Sequence, residues 1–102
     1  MAEYVKVAKA SEIAAGQGKA VEVGGRRIAI LNCDNAYYAL DDVCPHKGGP
    51  LSEGVISEGG VRCPWHGATF MLASGELACG PSPGGVQSYP LRVNGDDIEV
   101  EV

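Results

Sequence analysis

The chain has 102 residues, 45% of them hydrophobic, and a formal charge of −5. That length fits one domain over residues 1–102, and the acidity disfavours a nucleic-acid binder, which needs a basic face. No run of about 18 apolar residues is present to span a membrane, and the opening MAEYVKVAKASE lacks the charged and apolar segments of a signal peptide, so a cytoplasmic location is expected.

Short β-prone runs separated by turn residues come first. Residues 4–7 (YVKV) alternate between apolar and polar. One helical turn is expected at 11–15, with Ser11 as its N-cap. Residues 19–23 (KAVEV) lead through Gly24-Gly25, a hairpin signal, into 26–31 (RRIAIL). The turn NCDN then precedes residues 36–40 (AYYAL). Near the C-terminus QSYPLRV (87–93) is joined by NGDD to IEVEV (98–102). Asn94-Gly95 marks a hairpin there, and Ile98, Val100 and Val102 alternate with Glu99 and Glu101. No other stretch sustains a helical period. The pattern predicts an all-β protein, an antiparallel sandwich or small barrel. Between residues 43 and 85 glycine and proline are dense and the apolar runs brief. That predicts a loop-rich subdomain inserted into the β-scaffold, where function commonly sits.

Both histidines of the chain fall in this insert, each beside a cysteine. DVCPHKGG places Cys44 and His46 two apart, VRCPWHGATF places Cys63 and His66 three apart, and sixteen residues separate the pairs. Two such side chains this close in a loop are able to face one centre. Pro45 and Pro64 stiffen the loops by fixing φ. Three readings follow from the residue types alone. The thiols and imidazoles stand near turns without a ligand, or hold a structural zinc as two Cys and two His, or hold a [2Fe-2S] cluster in which two His replace two Cys on one iron. A zinc finger commonly has a Cys pair followed by a His pair, whereas these pairs are mixed. A disulfide framework fits poorly, because four cysteines are sparse and no export signal precedes them.

The two boxes, with their settings CPHKGGPLSEG and CPWHGATF and the later CGPSPGG, resemble the Rieske iron–sulfur proteins. The resemblance implies a [2Fe-2S] cluster, with Cys44 and Cys63 as thiolate ligands of one iron and His46 and His66 as ring-nitrogen ligands of the other, at the exposed tip. Neutral imidazoles in place of two thiolates make such a cluster less negative, which eases the addition of an electron. The implied function is that of a soluble Rieske ferredoxin, which passes single electrons from a flavin-dependent NAD(P)H reductase to a terminal ring-hydroxylating oxygenase. Such a chain is a carrier and not an enzyme, and no histidine is left over here to build the mononuclear iron site of an oxygenase large subunit. The same resemblance also allows the small Rieske subunit of a nitrite-reductase-like enzyme.

Within that family the chain departs from the high-potential branch. The positions that carry a disulfide between the loops are Gly49 and Trp65, and those that carry hydroxyls beside the cluster are Ala68 and Phe70. A low potential is therefore expected, near −150 mV on a scale that runs from roughly −150 to +300 mV. Cys33 is expected as a small core residue. Cys79 is expected either near the centre without binding it or simply in a proline-rich turn. Trp65 packs its loop or forms an apolar rim, and Lys47 and Glu53 are solvated charges.

Overall fold

A computed structural model of the chain describes residues 3–43, 50–64, 67–80 and 84–101. Its strands are β1 (Tyr4–Lys9), β2 (Gly18–Val23), β3 (Arg26–Cys33), β4 (Ala36–Asp41), β5 (Val55–Ser57), β6 (Gly60–Arg62), β7 (Thr69–Met71), β8 (Leu77–Cys79), β9 (Ser88–Tyr89), β10 (Leu91–Asn94) and β11 (Asp97–Glu101). They form three antiparallel sheets, in the orders β1-β11-β10, β2-β3-β4-β9 and β5-β6-β7-β8.

The run Ile28, Ala29, Ile30 and Leu31 in β3 explains the layering. All four are fully buried, as in a strand covered on both faces. Side chains alternate along a strand. Ile28 and Ile30 accordingly join a core with Ala8, Ile98 and Val100 of the β1-β11-β10 sheet. Ala29 and Leu31 point the other way, into a core with Leu51, Val61, Cys63, Ala68, Phe70 and Leu72. In β4, Ala39 faces the first core and Leu40 the second. The β2-β3-β4-β9 sheet is thus the middle layer of three. The glycine-rich insert forms the third layer as a small sheet of its own, with Val61 and Phe70 paired and turned inward.

Within the described residues, every stretch read as a strand from the sequence is one, with local differences. QSYPLRV is split at Pro90, which has no N–H to give a ladder. On one side β9 pairs with β4; on the other β10 pairs with β11, and the Pro90 carbonyl accepts the Glu101 N–H at 2.9 Å. The chain crosses from the middle sheet to the outer one at this residue. The last hairpin turns on Gly95 and Asp96, one residue later than the Asn94-Gly95 signal, because Asn94 already pairs with Asp97.

The helical turn expected at 11–15 is instead a 3-10 turn at Ala10–Glu12 with Lys9 in the capping position. Ser11 does not cap it. The Ser11 N–H and Oγ both donate to the Asp96 carboxylate, at 3.0 and 2.9 Å, which ties the turn to the last hairpin. The Glu12 carboxylate accepts the Lys9 N–H at 2.8 Å instead. Among the described residues no helix is long and apolar enough to cross a membrane.

Candidate metal centre

Two loops carry the four candidate ligands, and the chain closes each at its base. The first leaves β4 through Asp42. Val43 and Pro50 form an antiparallel bridge that closes the neck of the segment 44–49, which lies outside the described residues. Below the bridge, the Asp42 carbonyl accepts the Leu51 N–H and its Oδ1 accepts the Ser52 N–H, both at 2.7 Å. Leu51 and Ser52 belong to a second 3-10 turn, Leu51–Glu53, whose Leu51 is fully buried in the core under the small sheet.

The second loop joins β6 to β7. The Cys63 N–H donates to the Ala68 carbonyl at 2.7 Å, and the Gly67 N–H donates back to the Cys63 carbonyl at 3.2 Å. This pins Cys63 at the loop's mouth with its side chain in the apolar core, 2% exposed. Ala68 on the other limb is fully buried in the same core.

The two loops are brought together by a close backbone approach. A Cβ on Gly54 would clash with the Arg62 carbonyl oxygen and stand 3.0 Å from Val61 Cγ2. Only glycine lets the segment that leaves the first loop lie directly on β6, one residue before Cys63. A third segment reaches the site from β8. Gly80 sits against Ala68, and at the far end of that segment the Val86 N–H donates to the Gly75 carbonyl at 2.7 Å. The segment between these anchors, residues 81–83, lies outside the described residues.

Of the predicted ligands, Cys63 alone lies among the described residues, buried at the mouth of the second loop. Cys44, His46 and His66 lie outside the described residues, as do Lys47, Gly49 and Trp65. Cys33 is half-buried against the core, as expected. Cys79 is exposed in β8, opposite Thr69, and not in a turn. Glu53 is exposed. Phe70 is fully buried in the core that holds Cys63.

Two charged residues of the site escaped the sequence reading. Asp42 is an acidic residue on the inward face that Leu40 begins, and the strand alternation through Leu40 is the signal that marks it. Arg62 packs its guanidinium on the second loop, so that a Cβ on Gly67 would lie 3.1 Å from Arg62 Nη2. The shifted titrations lie elsewhere. Burial, then donation of its hydroxyl to Asp41 Oδ1 at 2.6 Å, raise the Tyr89 phenol above its ordinary value. The Tyr89 hydroxyl in turn raises Arg26, whose Nη1 donates to it at 3.2 Å.

Among the described residues Cys63 has the chemistry of a soft-metal ligand. Cys63 is a thiol without a disulfide, buried at a loop mouth among apolar side chains, and thiolates favour zinc and iron–sulfur clusters. Leu51, at the root of the other Cys-His segment, lies in the same core, and Gly80 packs against Ala68 on the second loop.

Comparison with known proteins points the same way. The family described as Rieske [2Fe-2S] domain matches residues 3–90. The chain is 34% identical over 85 residues to mouse apoptosis-inducing factor 3; the match covers 83% of this chain but spans only 14% of that relative's length. It is 36% identical over 76 residues to the 3-phenylpropionate/cinnamic acid dioxygenase ferredoxin subunit of Escherichia coli K12, which covers 74% of this chain and 72% of that one. The solved ferredoxin of carbazole 1,9a-dioxygenase from Nocardioides aromaticivorans IC177 superposes with a TM-score of 0.89 at 26% identity, over 95% of both chains.

Proposed function

Because the chain belongs to the Rieske [2Fe-2S] domain family, we propose that it is a one-electron carrier, formed as one Rieske domain over residues 1–102 with its cluster-binding part at 43–85. It takes electrons from a flavin-dependent NAD(P)H reductase and delivers them to a terminal oxygenase in the cytoplasm, and it has no substrate chemistry of its own. The names of its ferredoxin relatives support the oxygenase as acceptor. The reductase rests on the chemistry of supply: a nicotinamide gives a hydride, and a flavin is needed to split it into single electrons.

In this reading Cys44 and Cys63 hold one iron as thiolates, and His46 and His66 hold the other through ring nitrogens. A [2Fe-2S] cluster held by that set supplies reversible one-electron chemistry at a higher potential than an all-cysteine one. The residues of the chain do the rest. Cys63, Ala68 and Phe70 keep water from the inner side of the site by closing it with core side chains. The hydrogen bonds of Cys63 with Ala68 and Gly67 and the Val43 to Pro50 bridge hold both loop mouths in fixed positions, so little rearrangement accompanies electron gain or loss. Ala68 and Phe70 offer no hydroxyl to the site, which supports a potential in the low part of the family's range.

The observation that carries the reading is the shared seating of the two loops, with Cys63 of one and Leu51 at the root of the other in a single core. The test is iron and acid-labile sulfide content, with a visible spectrum, on protein purified without air. Two irons and two sulfides per chain, with colour bleached by dithionite, are expected. One zinc, no sulfide and a colourless solution would overturn the reading.

A further inference from the structure

The register of the small sheet fixes what it shows to solvent. Val61 and Phe70 point into the core, so their strand neighbours point out. Val55, Arg62, Thr69 and Cys79 stand opposite one another across the four strands, and Ser57 and Met71 lie on either side of Gly60 in the next row. Val55 is 65% exposed and Met71 43%, and Arg62 and Cys79 are exposed as well. None of these six side chains is acidic, although the chain carries 13 acidic residues against 8 lysines and arginines.

Arg62 is the charge on this face, and it is unpaired. Lys6, Lys19, Arg27 and Arg92 each meet a carboxylate, at 3.1, 3.3, 3.0 and 2.6 Å. Arg26 donates to the Tyr89 hydroxyl. Among the described residues no carboxylate or other acceptor is paired with Arg62. Its guanidinium is nevertheless held in place. It lies along Gly67, where a Cβ would stand 3.1 Å from Nη2 and 3.2 Å from Nε. A side chain already seated this way loses less freedom when it binds.

A lone exposed cation needs no partner, and neither does a lone exposed valine. Their combination points to one. Protein interfaces are enriched in Arg and Met and depleted in Asp and Glu, and a guanidinium grips a carboxylate through two parallel N–H···O bonds. The charge of −5 on the chain repels a broadly acidic surface. The complementary surface is therefore one carboxylate set among apolar groups.

We propose that the outward face of the β5-β6-β7-β8 sheet is a protein docking surface. Arg62 is its anchor for a carboxylate of the partner, and Val55 and Met71 are its apolar flanks. No metal ligand takes part, so the inference stands apart from the carrier reading.

Met71 supplies the reporter, because the chain has only two methionines and Met1 serves as the reference. The protein, labelled with carbon-13 at its methionine methyls, is titrated with a soluble helical peptide that carries one glutamate among leucines on one side. The same peptide with glutamine in that position is the control. The glutamate peptide is expected to move the Met71 signal and leave Met1 in place. The glutamine peptide should bind roughly fivefold more weakly, the upper end for an exposed ion pair. Arg62→Gln, an exposed substitution, should abolish that difference. An unmoved Met71, equal binding of the two peptides, or a glutamate preference that survives Arg62→Gln would overturn the inference. A Met71 signal that shifts with protein concentration alone would give the face to a second copy of this chain and overturn it too. A chain without iron would sink the carrier reading and leave this inference standing.

Discussion

Gly80 stands directly on Ala68: a Cβ at Gly80 would lie 2.6 Å from the Ala68 Cα and 3.2 Å from the Gly67 carbonyl oxygen. The contact is backbone on backbone, so no rotamer change relieves it. Gly80 also has a φ of +107°, a region that residues with a side chain rarely enter. Gly80→Ala is therefore expected to cost roughly 1–3 kcal/mol and to lift the chain at Gly80 from the second loop. Urea unfolding would measure the first effect. Iron release to a chelator would measure the second, and release at the wild-type rate would mean that the chain at Gly80 does not cover the site.

Ala68 and Phe70 set a second expectation. Both are fully buried on the limb of the second loop that returns to the core. A hydroxyl that donates to a charged acceptor is worth about 1.5–3 kcal/mol, and a tenfold change in a one-electron equilibrium is about 59 mV. Ala68→Ser and Phe70→Tyr should each raise the midpoint by roughly 60–130 mV on those figures. Ala68→Ser is the gentler change, because it adds one atom. Phe70→Tyr adds an oxygen inside a closed core and should also lower the urea midpoint. Unmoved potentials in both loaded variants would show that missing hydroxyls do not set the potential.

What the sequence made legible follows from what each signal measures. The strands were readable because alternation and turn residues act locally: Gly24-Gly25 closes β2 on β3, and Glu99 and Glu101 alternate with the buried Ile98 and Val100 in β11. The ligand set was proposed because Cys and His at this spacing are rare and chemically specific, and three of its four residues lie outside the described ones. The third layer was harder to see. β5 to β8 are three residues each, too short to show a period, and their inward row of Val61 and Phe70 emerges only once the strands are paired. Long-range contacts were invisible as well. Ser11 reads as a cap until Asp96, 85 positions later, takes both of its donors. Asp42 drew no reading from the sequence, and its role shows only where Ser52 and Arg27 close around it.

Tyr89 gives a pH expectation. Burial first, and then its hydrogen bond to Asp41, raise its phenol above the ordinary value of about 10. The folded state thus holds the proton more tightly than the unfolded chain does. The stability this provides is fully present below about pH 10 and is lost as pH rises through the folded value. Urea midpoints should hold between pH 8 and 10 and fall above that, with a part of the fall that is absent in Tyr89→Phe. Identical alkaline profiles for the two proteins would contradict the assignment.

Removal of iron should weaken the molecule unevenly. In the carrier reading the centre ties residues 44–46 to residues 63–66, a cross-link over a segment of about twenty residues. By the loop-closure account used for disulfides, such a tie contributes about 3 kcal/mol. The segment it closes contains β5 and β6, whose sheet has strands of only three residues and leans on Leu51, Cys63 and Ala68 for its core. The core between the β1-β11-β10 sheet and the middle sheet, built on Ile28, Ile30, Ile98 and Val100, contains no candidate ligand among the described residues. After chelation, amide exchange should therefore quicken at Val61, Phe70 and Leu72 while Ile30 and Ile98 stay protected. A uniform quickening would mean that the two cores unfold as one unit. No change at all would mean that the hydrogen-bonded loop necks, and not the metal, hold the third layer in place.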